Sequence, residues 1–296
     1  MGILRFNYRS EALGKFVDIT MTFPTDNYSF YTDASPKKPR ISHGENHRPL
    51  YREGMKLQTL YLIHGGGDDD SVPYRYTNVE RYAIANNVMT VTPDLSNSFG
   101  ADTEYGVDYN LFLTEELPKV VQSLFASSPC REDNFIIGFA MGGNVALSAA
   151  IRRPDRYAVC VDMSGGIGYT LNTEGWKQEL SGEHFKNHFY LHNATFGPAE
   201  ALEGSRHDLL KIAREKKVSG EPLSDFIVIA GSEEGFIRDR VEQDVRILKE
   251  LGYPVRYECV PGGKHDMELW DRYLKIVLDE MLPLKRKPGA EGEERK

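Results

Sequence analysis

Short, nearly unbroken apolar runs alternate along the chain with longer stretches in which apolar residues return every three or four positions. The runs are Phe16–Phe23, Leu57–Ile63, Val88–Thr92, Phe135–Phe139, Tyr157–Met163, Asp225–Ala230 and Val255–Val260. Runs of this length read as strands, and those without polar alternation as strands buried on both faces. The stretches Tyr74–Asn87, Tyr109–Phe125, Met141–Arg152, Arg238–Leu251 and Met267–Met281 have helical spacing, with a kink or break predicted at Pro118. Strands alternating with helices predict an α/β fold, a mostly parallel central sheet with helices on both faces.

Two segments interrupt the alternation. Residues 25–56 are polar and read as a long connection between N-terminal strands, with a basic run at Lys37, Lys38, Arg40, His43 and His47. That run is read as a solvated loop, or as part of a substrate entrance or subunit contact. Residues 164–224 are too long for a plain crossover and hold Trp176, Phe185, Phe189, Tyr190 and Phe196. An inserted cap over the carboxyl ends of the strands accounts for both length and aromatics, because ligands of open α/β sheets bind at that edge. The expected organisation is one domain over 1–283, with the cap at about 164–224 and a mobile charged tail over 284–296.

Composition narrows the partners more than the chemistry. The 296 residues carry a net charge of -8 with no basic stripe, which argues against nucleic acid. No run approaches the roughly 18 apolar residues of a membrane span, and the start has no apolar leader core. Cys130, Cys160 and Cys259 match no metal spacing; Cys160 and Cys259, in apolar runs, are expected to be buried free thiols. A reducing cytoplasm is the expected location, no membrane is expected, and homo-oligomerisation is left open.

The most informative stretch is Asp133–Ala150, a buried strand, a tight turn and a helix of small residues. It has the layout of a nucleophile elbow, G-x-S-x-G, with Gly138 and Gly142 where side chains would collide with neighbouring elements. The residue at its tip is Ala140, where a serine is expected. The remaining parts of an acyl-transfer site are present in order. His265, on the loop between the last strand and last helix, is the candidate base. Glu234, after the preceding strand, is the candidate acid, with Glu233 and Asp239 as alternatives. Backbone N–H groups of Met141 and of Gly66, or else Gly67, in the His64-Gly65-Gly66-Gly67 loop are the candidate oxyanion donors. Gly67, Trp176, Phe189 and Trp270 are candidate substrate contacts, although Trp270 is also at core spacing from Tyr273. Ser164 is the rival nucleophile, disfavoured because it follows the wrong strand. His184, His188 and His192 recur every four residues, and Asp68–Asp70 form an acidic run, but a metal site is expected at neither.

Taken together these motifs resemble the α/β-hydrolase esterases that include tributyrin esterases, feruloyl esterases and S-formylglutathione hydrolase (esterase D-like). The resemblance rests on the opening FNYRSEALGKFVDITMTFP, LYLIHGGG, VTPD at 91–94, TEELPKVV at 114–121, GFAMGG, FGP at 196–198, GSRHDLLKIA, GSEE and GGKHDMELWDRYL. It implies an α/β-hydrolase fold and hydrolysis of small-molecule carboxylic esters (short-chain acyl, acetyl or hydroxycinnamoyl, with acylated sugars and phenolic esters among the substrates). It implies no cofactor. The sequence departs from the family twice: Ala140 replaces the serine, and Glu234-Gly235 stands where the family has Asp-Phe.

Alanine is the minimal deletion of a serine hydroxyl, and base, donors and glycine turn are all retained. The chain therefore reads as a serine esterase inactivated by deliberate replacement of its nucleophile. A natural pseudo-hydrolase that binds esters without turnover is the alternative, as is an acyltransferase on the same fold.

Overall fold

The computed structural model describes residues 2–25, 53–166, 170–181, 192–285 and 289–290. The basic run at 37–47, His184, Phe185, His188, Phe189, Tyr190 and most of the charged tail lie outside the described residues.

Eight strands form one sheet: β1 (Gly2–Arg9), β2 (Phe16–Phe23), β3 (Thr59–Ile63), β4 (Met89–Pro93), β5 (Asn134–Phe139), β6 (Val159–Met163), β7 (Asp225–Gly231) and β8 (Val255–Val260). Their spatial order is β1-β2-β4-β3-β5-β6-β7-β8. β2 runs antiparallel to both β1 and β4, and every other pairing in this sheet is parallel. Strands β3 to β6 are buried residue for residue, as their unbroken apolar runs require. Alternate side chains feed two cores: Tyr61, Ile63, Ile136 and Cys160 on one face, Leu60, Leu62, Phe135, Ile137 and Phe139 on the other.

The principal helices are α1 (Val79–Ala85), α2 (Leu117–Leu124), α3 (Met141–Arg152), α4 (Thr173–Ser181), α5 (Leu209–Ser219), α6 (Phe236–Glu250) and α7 (Met267–Ile276). The helix expected over Tyr74–Asn87 divides in two. Thr77 is extended, its hydroxyl donates to the Pro73 carbonyl at 2.5 Å, and the Asn78 N–H goes to Asp271 instead of continuing the helix. The break expected at Pro118 takes the form of a π-turn over Phe112–Glu116 immediately before α2. Proline has no N–H to give, and one wide turn accommodates that loss.

In the segment between β6 and β7, α5 begins at Asp208, whose carboxylate accepts from the Lys211 N–H at 2.9 Å, and ends at Gly220 in the left-handed region. It buries Leu209 and Ala213 and packs on α3, as a crossover helix does. Upstream, Trp176 on α4 is fully buried against His192 and Phe196, while Phe99 also contacts His192 and Phe196. This aromatic cluster ties the segment to the loop after β4.

The expectation for the cysteines is corrected at one position. Cys160 on β6 is buried, but Cys259 is exposed, because β8 is an edge strand and only part of it is covered. Among the described residues no helix is long and apolar enough to cross a membrane.

Candidate active site

The strand order reverses at β3, which has β4 on one side and β5 on the other. Loops leaving the carboxyl ends of β3 and β5 therefore open a crevice between them. The His64–Gly67 loop leaves β3 there, and the elbow leaves β5. The candidate acid and base follow β7 and β8 at the same edge of the sheet.

Backbone crowding dictates the elbow sequence. Ala140 sits at φ 50°, ψ -120°, a region a residue with a Cβ occupies only under constraint. Its N–H donates to the Met163 carbonyl at 2.9 Å and its carbonyl accepts from Gly143 at 2.8 Å. A Cβ on Gly138 would lie 2.6 Å from the Gly143 nitrogen and closer still to the Gly142 carbonyl. One on Gly142 would lie 2.5 Å from the His64 carbonyl oxygen and closer to that of Ile63. One on Gly143 would run into the Asp162 carboxylate. Glycine is the residue that permits β3, β5, β6 and α3 to meet at this distance.

The loop after β3 reaches the tip of the elbow. A Cβ on Gly65 would lie 3.7 Å from Ala140 Cβ. The His64 side chain is fully buried; its Nδ1 lies 2.7 Å from the Gly65 carbonyl, and its Nε2 accepts from the Leu95 N–H at 2.9 Å. Both ring nitrogens are thus used to hold the loop. Gly67 donates its N–H to Asn97 Oδ1 at 2.7 Å, so this candidate donor is already engaged within the protein. Met141 is the first residue of α3, so its N–H is among those a helix leaves without an intrahelical acceptor. Asp68 reaches back over this loop, and burial pushes its carboxyl above the ordinary range.

The acid and base candidates come together. Glu234 Oε1 lies 3.8 Å from His265 Nδ1, with the Glu234 side chain fully buried. Of the alternatives, Glu233 lies on the surface beside Lys264, and Asp239 is exposed and paired with Arg238 at 2.6 Å. The Ser164 hydroxyl donates to Glu234 Oε1 at 2.6 Å and accepts from Trp270 Nε1 at 3.0 Å. The Trp270 ring meets the His265 ring at 4.9 Å, edge to face, and stacks on Phe139 of β5 at 5.7 Å. Trp270 therefore joins the elbow strand to His265.

Behind this pair lie two further buried acids. Asp162 on β6 accepts from the Gly165 N–H at 2.8 Å, and burial pushes its carboxyl up to about 8, helped by the negative charges of Asp244 and Glu234. Asp244 on α6 is pushed up to about 7 by burial, despite hydrogen bonds from Thr170 and the Leu171 N–H.

Among the candidate substrate contacts, Trp176 is fully buried in the aromatic cluster and Trp270 is buried between Phe139, Ser164 and His265. Phe189 lies outside the described residues. Sequence reasoning missed the connections of Ser164. Its signal, Met163-Ser164-Gly165-Gly166 at a strand end, was visible only as a rival nucleophile, whereas the residue is fully buried and hydrogen-bonded to Glu234.

The chain matches the Esterase family over residues 43–208. An acetyl esterase of Caldicellulosiruptor saccharolyticus is 24% identical over 95% of this chain and 98% of its own. Among solved structures, the fluorophosphonate-binding serine hydrolase F of Staphylococcus aureus superposes with a TM-score of 0.75 at 24% identity, over 95% of this chain and 98% of that one. The S-formylglutathione hydrolase FrmB of the same organism gives a TM-score of 0.70 at 25% identity, with the same coverage. These likenesses agree with the α/β-hydrolase fold of the sheet.

Proposed function

The chain belongs to the Esterase family, and on that premise we propose that its site is built to cleave carboxylic esters through an acyl-enzyme on a serine at position 140. The observation that carries this reading is the conformation of Ala140, held at φ 50°, ψ -120° between obligatory glycines. An alanine gains nothing from that strain. A serine there would project its hydroxyl into the crevice between the β3 loop and α3.

With Ala140→Ser in place, the hydroxyl attacks the ester carbonyl and His265 takes its proton at Nε2. Glu234 faces Nδ1, orients the ring and stabilises the imidazolium. The Gly66 and Met141 N–H groups receive the developing oxyanion, each such donor being worth roughly 3 kcal/mol of transition-state stabilisation. His265 returns the proton to the leaving alcohol, and water then cleaves the acyl-enzyme by the same steps reversed. The chain with Ala140 retains the binding surfaces and lacks the attacking oxygen, so it binds esters without turnover. Short acyl groups are the favoured substrates, in keeping with the acetyl esterase relative.

The test is hydrolysis of p-nitrophenyl acetate and butyrate by the chain as it stands and by Ala140→Ser. Loss of a nucleophile in comparable hydrolases costs about 10⁶-fold in kcat, so a gain of several orders of magnitude is expected. No gain overturns the reading.

A further inference from the structure

We propose that Ser164 and Trp270 form a positioning clamp for the acid–base pair, in which Trp270 holds the base by its ring and the acid through the Ser164 hydroxyl. The proposal deepens the esterase reading and rests on it for the role of the pair.

The direction of each hydrogen bond follows from chemistry. An indole nitrogen only donates, so Trp270 Nε1–H must give its proton to Ser164 Oγ. The serine, having accepted there, has its one proton left for Glu234 Oε1. The chain is therefore polarised toward the carboxylate, and a charge-assisted hydrogen bond at its end is the strong kind. Ser164 cannot serve as a nucleophile in this arrangement, because its proton is already committed and its side chain is fully buried.

The backbone is shaped to make this contact. Ser164 has φ 64°, in the left-handed region that few non-glycine residues occupy. Its N–H donates to the Ile229 carbonyl of β7 at 2.8 Å, which fixes the residue against the strand that leads to Glu234. Trp270 is fixed equally: Asp266 caps α7 by accepting from the Leu269 N–H at 3.0 Å, and Phe139 stacks on the indole.

The clamp answers a geometric need particular to glutamate. The extra methylene gives Glu234 one more rotatable bond than aspartate, so its carboxylate requires an external restraint. Oε1 receives that restraint from Ser164. Oε2 and His265 Nδ1 are both buried without a hydrogen-bond partner among the described residues, and Nδ1 lies 3.8 Å from Oε1. A small rotation of the carboxyl about the Ser164 bond would bring an oxygen within hydrogen-bonding reach of the ring. The other titratable groups around the pair are unchanged in the variants below: Lys264 beside Glu233, Asp266 at the α7 cap, and the buried carboxyl of Asp162 behind Glu234.

The test uses two readouts. The first is the His265 imidazole titration, followed by NMR in the chain as it stands and in Ser164→Ala, Trp270→Phe and Glu234→Gln. Removing the carboxylate in Glu234→Gln should lower the His265 midpoint, because a nearby opposite charge favours the imidazolium. Releasing the carboxylate from its clamp should lower it in the same direction by part of that amount. Ser164→Ala keeps the Cβ that the backbone already carries, and Trp270→Phe keeps an aromatic ring between Phe139 and His265, so two independent variants report. The second readout is kcat and KM in the Ala140→Ser background, where each clamp variant should lose roughly 10- to 100-fold in kcat with KM little changed. Midpoints that stay put or rise in both clamp variants overturn the proposal, whatever kcat does. If Ala140→Ser is inactive while the midpoints fall, the esterase reading fails and the clamp stands.

Discussion

Asp162 provides the sharpest test of the energetics beneath the elbow. The residue is 3% exposed, and its carboxyl sits against Gly143 and Gly165 and is pushed up to about 8 by burial. In the unfolded chain an aspartate titrates at about 3.9. Between these values the folded protein holds a proton that the unfolded chain has lost, so stability must fall as pH rises. The contribution is complete below the unfolded value and gone above the folded one. The slope is about 1.4 kcal/mol per pH unit for one proton, or up to about 4 kcal/mol between pH 5 and pH 8. Asp244 adds a similar slope over a window ending near its own value of about 7. Asp162→Asn removes the first titration while keeping an oxygen for the Gly165 N–H. Urea unfolding of the parent chain and of Asp162→Asn at pH 5, 6.5 and 8 isolates the Asp162 share. The variant should gain on the parent with each step in pH, by a total of about 2–4 kcal/mol. A stability difference that stays flat from pH 5 to pH 8 would refute the claim that this carboxyl is neutral in the folded protein.

Other consequences follow from the same geometry. Gly142→Ala forces a Cβ onto the Ile63 and His64 carbonyls and should cost about 1–3 kcal/mol or more, read as a lower urea midpoint; an unchanged midpoint would mean the elbow is less tightly packed than described. Trp176→Ala should cost about 3–5 kcal/mol as a buried cavity, yet leave KM for p-nitrophenyl acetate unchanged in the Ala140→Ser background. In that background Glu234→Gln should abolish most of the activity. Glu233→Gln and Asp239→Asn, both at the surface, should not, which a single comparison of kcat/KM decides.

Several features were readable from local pattern alone. The unbroken runs ending at Ile63, Phe139 and Met163 announced strands covered on both faces, because only such strands tolerate apolar residues at every position. The glycines of GFAMGG announced the elbow, because each occupies a place where the backbone of another element passes. Helix limits were less legible at Thr77, where a hydroxyl and a distant aspartate take the hydrogen bonds that would have extended the helix. The exposure of Cys259 was not legible, since an apolar run does not reveal that its strand lies at an edge.

The sequence by itself determined the short motifs: a strand, glycine turn and helix at GFAMGG with Ala140 at its tip, the His64–Gly67 loop, and a glutamate and a histidine following β7 and β8 in order. Those are properties of short segments, set by backbone sterics and side-chain chemistry within a few residues. Only the tertiary structure decided which carboxylate faces the histidine, because Glu233, Glu234 and Asp239 differ little in sequence and greatly in burial. It also brought the Ser164 hydroxyl onto Glu234 and the Trp270 indole onto both Ser164 and His265. Those assignments depend on hydrogen bonds between residues 70 and 106 positions apart, which no local pattern encodes.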